Sequence, residues 1–182
     1  MLQTELLNKL IEDSYEFARN QLLTPSNLGL LKSGSKKLLV GYLEQINLNE
    51  LVNISTRDEY DDWFDNTLLP IHMDLFNIYQ KSLNVTQDNP YTYSARILTQ
   101  YIKTLCFRTW LYDDYEIYLD ILHPMLTNNF LESFPELQIK KVKEISGRSE
   151  YYNVIEFYRD MIEQDKNDKN EALIGLEMCK DF

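Results

Sequence analysis

The segment 93–111 is the feature that most restricts the fold of this chain. Its apolar residues recur every three or four positions and cover more than half of a helical circumference, as in a helix buried on most sides. They are Ala95, Ile97, Leu98, Tyr101, Ile102, Leu105 and Cys106. Such a helix needs other elements packed around it, so the pattern predicts a central helix in an all-α fold.

Helical periodicity continues on both sides of this segment, for example over 2–23, 36–46 and 150–163. Glycine and proline number five each, too few for a fold with many tight turns. We therefore predict that residues 1–182 form one domain, an irregular helical bundle of seven to nine helices around the central one. Its core is expected to contain Trp63, Phe64, Leu75, Leu98, Ile102, Leu105, Ile155 and Tyr158.

Three local signals predict helix boundaries. Thr56 followed by Glu59 has the spacing of a capping box, in which each residue satisfies the backbone of the other. Pro70 suits the first turn of a new helix, so a boundary is expected there. Pro135 is expected to divide two short helices, 128–134 and 137–145.

The charge balance restricts the partners of the chain. Twenty-nine acidic residues against 18 basic ones give a net charge of -11, which repels phosphate backbones and disfavours direct nucleic-acid binding. The N-terminus lacks the pattern of a signal peptide, and no apolar run reaches membrane-spanning length. The two cysteines, Cys106 and Cys179, are far apart and suit buried thiols, so we expect a cytoplasmic protein without membrane attachment.

No local motif indicates catalysis, a metal or a cofactor. The only histidines are His72, expected to be a partly buried structural residue, and His123, expected to cap a helix end. Neither has the spacing of a metal ligand, and no glycine pattern suits a phosphate. The sequence thus predicts no catalytic residue, no metal site and no cofactor, although a site assembled from dispersed residues stays open.

An acidic stripe on the helix that follows Thr56 is the first candidate binding surface. It consists of Asp58, Asp61, Asp62 and Asp65. Its two interpretations are a solvated face that folding does not require, and a docking surface for a basic partner. A second acidic cluster, Asp113, Asp114, Glu116 and Asp120, has the same two interpretations, and basic residues such as Arg148 are expected to pair with the chain's own carboxylates.

The predicted C-terminal helix, 170–181, is the second candidate surface. Its apolar residues are not confined to one stripe, because Leu173, Leu176 and Cys179 cannot share one side of a helix with Ile174 and Met178. One side can pack on the core, and the other would be covered by another chain, which can be a second copy, covered by the preceding loop, or left exposed.

These features favour a non-enzymatic helical protein-interaction or adaptor module, a small subunit or regulator of a larger bacterial-type assembly. The first alternative is an acidic inhibitor that blocks a nucleic-acid-binding protein. The second is an enzyme with a site assembled from dispersed residues, for which a polar pocket holding His123 with carboxylates would be evidence.

Overall fold

The computed structural model describes residues 16, 20, 35–46, 48–51, 53–79, 90–109 and 121–167. Within this part, 76% of the residues are helical and no strand forms, which confirms the all-α class. The helices described are α1 (Ser35–Leu43), α2 (Leu48–Leu51), α3 (Arg57–Tyr79), α4 (Pro90–Thr109), α5 (Asn128–Glu132) and α6 (Arg148–Asn167). In the same residues, no helix combines the length and the apolar character that crossing a bilayer requires.

Helices α3 and α4 form the most extensive helix contact among the described elements, and α6 packs against α4. The predicted core is confirmed at Trp63, Phe64, Leu98, Ile102, Ile155 and Tyr158, all of which are buried. The side chains of Leu75 and Leu105 lie outside the described residues. Helical periodicity identified these positions because burial on one face leaves a regular signal in the sequence.

The beginning of α3 follows the predicted capping box. The Thr56 hydroxyl accepts a hydrogen bond from the backbone N–H of Glu59 at 3.3 Å, and the Glu59 carboxylate accepts one from the backbone N–H of Thr56 at 3.2 Å. The predicted boundary at Pro70 is wrong, because α3 continues through it. Leu68 precedes Pro70, Ile71 follows it, and both side chains are buried. The parts of α3 before and after Pro70 therefore pack on the same core, and this packing offsets the cost of proline inside the helix.

The segment between α5 and α6 also differs from its prediction. A helix over 137–145 is not formed; the chain makes two 3-10 turns, Pro135–Leu137 and Val142–Glu144. Gln138 separates them in a left-handed conformation with φ 56°, which a right-handed helix cannot include. The three-residue spacing of Ile139, Val142 and Ile145 therefore reflects inward contacts of an irregular segment, in which Val142 and Ile145 are buried.

Several predicted features lie outside the described residues. They are the N-terminal helix over 2–23 except residues 16 and 20, the acidic cluster Asp113, Asp114, Glu116 and Asp120, and the helix over 170–181 with Leu173, Ile174 and Met178.

Candidate functional site

Among the described residues, three ion pairs connect α3 with α6. Arg57 pairs with Glu163 at 2.6 Å, Asp61 with Arg159 at 2.7 Å, and Asp65 with Arg148. Residue numbers rise along α3 as they fall along α6, so the two helices run antiparallel. We call this row of contacts the α3–α6 seam.

Asp61 is the centre of the seam. Its two carboxylate oxygens accept hydrogen bonds from the two terminal nitrogens of Arg159, at 2.8 and 2.7 Å, in a bidentate arrangement. His123 contacts the same carboxylate through Nε2 at 2.8 Å. Burial acts to raise the pKa of Asp61, but the hydrogen bonds from Arg159 and His123 outweigh it and lower that pKa to about 2.

The contacts of His123 define its tautomer. Because the Asp61 carboxylate is ionised and can only accept, Nε2 of His123 must carry the proton. In the neutral ring Nδ1 is then the acceptor, and it lies 3.1 Å from the hydroxyl of Tyr151, which donates. Burial lowers the pKa of His123 although Asp61 opposes this, so the neutral form is favoured. The predicted helix cap is thus wrong: both ring nitrogens bind side chains of α3 and α6.

Asp65 forms a second polar centre in the seam. It accepts hydrogen bonds from the hydroxyls of Tyr91 at 2.6 Å and Tyr152 at 3.1 Å, and from Nε of Arg148 at 2.7 Å. The guanidinium of Arg148 also lies 4.6 Å from the ring centre of Tyr152, a cation–π contact. Burial and then Asp65 raise the pKa of Tyr91, so its hydroxyl stays protonated and donates. The expectation that Arg148 pairs with the chain's own carboxylates is confirmed.

The acidic stripe is therefore divided into two pairs. Asp61 and Asp65 turn towards α6 and are only 19% and 23% exposed, which contradicts the interpretation of all four as a solvated face. The helical period explains this, because these two residues lie at the edge of the apolar side of α3. Asp58 and Asp62 are exposed, and in the described part of the chain neither makes an ion pair.

Two carboxylates of α6 adjoin this exposed pair. Glu156 accepts a hydrogen bond at 2.6 Å from the same Arg159 nitrogen that binds Asp61, and Asp160 follows Arg159 directly; both are exposed. Since the core lies on one side of the seam, exposed residues next to it lie on the solvent side. We name Asp58, Asp62, Glu156 and Asp160 the acidic face.

The buried cluster around His123 is a structural centre of the fold. His123 is completely buried, contacts the rings of Tyr60 and Phe64 edge-on at 4.9 and 4.4 Å, and has both nitrogens engaged. A general base must reach its substrate, and the completely buried ring of His123 presents neither nitrogen to solvent. The open groove beside α5 is formed by other residues: Leu131, Glu132, Pro135, Gln138, Ile139 and Lys140.

Arg159 is the main residue of the seam that the sequence reasoning did not single out. It follows Tyr158 and lies between Ile155 and Ile162 in helical spacing, at the edge of the buried side of α6. A charged residue in such a position requires a counter-ion, which is the signal that was available. The sequence does not show which residue is the counter-ion, because Asp61 is 98 residues away.

The protonation of this cluster predicts how stability depends on pH. The pKa of His123 is lowered from 6.5 in the fold, so the unfolded chain takes up its proton first, and stability should fall as the pH drops below that value. We expect urea unfolding to show a lower free energy of unfolding at about pH 5 than at about pH 7. Asp61 adds a second loss between its unfolded value of 3.8 and about 2.

The control for this prediction is His123→Gln, which removes the titrating group. Its overall stability is expected to be lower, but its stability should change less between about pH 7 and about pH 5 than that of the wild type. Equal slopes in the two proteins, or a wild type that gains stability on acidification, would contradict the assignment.

The described residues contain no group of three or more His, Cys, Asp or Glu side chains arranged to hold a metal ion. In comparisons with known proteins, no family model, no curated sequence and no solved structure matches the chain. Its function is therefore inferred from the arrangement of its own residues.

Proposed function

We propose that this protein is a non-enzymatic interaction module that binds a basic protein partner through the acidic face. In this proposal it is a cytoplasmic, single-domain bundle of seven to nine helices, acting as a small subunit, adaptor or regulator in a larger assembly. The outer carboxylates of α3 and α6 contact the partner, and the seam beneath them holds the two helices in place.

The observation that carries this proposal is the division of the acidic stripe. Three arginines in the seam are each committed to a carboxylate, and seven carboxylates surround them: Asp58, Asp61, Asp62, Asp65, Glu156, Asp160 and Glu163. Among the described residues, the acidic face therefore keeps negative charge that no ion pair compensates. In a chain with a net charge of -11, such a surface attracts basic partners and repels a second copy of itself.

An inhibitor of a nucleic-acid-binding protein would use the same face, because the surface that it must cover is basic. The two functions differ only in what the partner does when it is free, and both require the exposed aspartates of α3.

The proposal is tested by isolating the tagged full-length chain from the cells that produce it, in parallel with Asp58→Asn/Asp62→Asn. The two aspartates are exposed, so the variant should fold, while losing two charges from the acidic face. We expect a protein with a basic surface to co-purify with the wild type and to be reduced at least about tenfold with the variant.

The matched control is Glu132→Gln/Glu136→Gln, which removes the same charge from exposed positions that belong to neither α3 nor α6. It should retain the partner at the wild-type level. If all three proteins retain the same partners equally, or none retains more than an untagged control, the acidic face is not a binding surface.

A further inference from the structure

An exposed apolar pair continues the acidic part of α3 along the same side of the helix. Leu69 is 56% exposed and Met73 is 60% exposed, and they lie four positions apart, as neighbours on a helical surface. With Leu38 they are the large apolar side chains found exposed in the described part of the chain. Methionine is adaptable and common at binding surfaces.

The apolar pair and the outer aspartates form one stripe. At about 100° per residue, positions 58, 62, 66, 69 and 73 fall within about 80° of the helix circumference and extend over about 22 Å. Asn66, between the two parts, is also exposed. The solvent side of α3 therefore changes from negatively charged near its beginning to apolar beyond its middle.

From this order we infer that the partner binds with an amphipathic helix lying along α3, which carries lysines or arginines at one end of its contact face and apolar residues at the other. The cations pair with Asp58 and Asp62, and the apolar end packs on Leu69 and Met73. Charge complementarity selects a basic segment over an acidic one, and the apolar pair selects the amphipathic segment over a purely cationic one. The inference rests on the proposed function and specifies its partner.

The experiment uses the full chain and two synthetic helical peptides of identical composition. In the first, lysines occupy one half of the contact face and leucines the other; in the second, lysines and leucines alternate along that face. We expect the first to bind at least about tenfold more tightly, by fluorescence anisotropy, because only it matches charge with charge and apolar with apolar surface.

Three variants locate the binding. Leu69→Ser/Met73→Ser should weaken binding of the first peptide at least about tenfold and change binding of the second by less than about twofold. Asp58→Asn/Asp62→Asn should weaken both peptides, and Leu38→Ser, an exposed leucine on α1, should weaken neither. Equal binding of the two peptides, with no effect of Leu69→Ser/Met73→Ser, would overturn the inference while leaving the proposed function intact. If Asp58→Asn/Asp62→Asn also has no effect, both fail.

Discussion

Replacing Arg159 with methionine is expected to lower the free energy of unfolding by about 3 kcal/mol. The side chain of Arg159 is 3% exposed and forms the bidentate pair with Asp61, so the variant leaves a carboxylate in the seam that keeps the Nε2–H of the neutral His123 as a donor but has lost its cation. Methionine preserves most of the apolar length of the side chain, which confines the change to the charge. Urea unfolding near neutral pH measures the effect.

Arg148→Met is the matched control, because it removes an arginine from the same helix and the same seam. Its side chain is 61% exposed, and Asp65 keeps the hydroxyls of Tyr91 and Tyr152 as donors. An exposed pair of this kind contributes about 1 kcal/mol or less. If Arg148→Met is as destabilising as Arg159→Met, or more so, the seam does not have its centre at Asp61.

Replacing Ile102 with alanine is expected to cost about 2–5 kcal/mol of stability. Ile102 is 1% exposed on α4, so truncation removes buried methyl groups and leaves a cavity that neighbouring side chains fill only in part. Thermal or urea unfolding measures the loss. Asn153→Ala, at an exposed position of α6, is the control and should change stability by less than about 0.5 kcal/mol. An unchanged midpoint for Ile102→Ala would show that α4 is not a core helix.

The apolar framework was predictable because burial repeats with the helical period. Trp63, Phe64, Leu98, Ile102 and Ile155 were identified in this way, and Thr56 with Glu59 gave the beginning of α3 from local spacing alone. These signals depend on residues that lie within a few positions of one another, or on one repeating side of a helix.

The polar seam was not predictable in the same way. Asp61 looked like any member of an acidic stripe, because its burial depends on Arg159 and His123, which are 98 and 62 positions away. The boundary predicted at Pro70 is wrong for a related reason. The local preference of proline for a helix boundary is smaller than the free energy gained when Leu68 and Ile71 both pack on the core. Tertiary contacts decided both cases.

We propose that the acidic stripe contains two aspartates that stabilise the fold, Asp61 and Asp65, and two that bind a partner, Asp58 and Asp62. Urea unfolding of Asp61→Asn/Asp65→Asn and Asp58→Asn/Asp62→Asn tests it directly, since both double variants remove the same charge from the same helix. We expect the inner pair to cost about 2 kcal/mol or more, because charge-assisted hydrogen bonds from Arg159, Tyr91 and Tyr152 are weakened. The outer pair should stay within about 0.5 kcal/mol of the wild type. Equal losses from the two pairs, or a larger loss from the outer pair, would contradict this division.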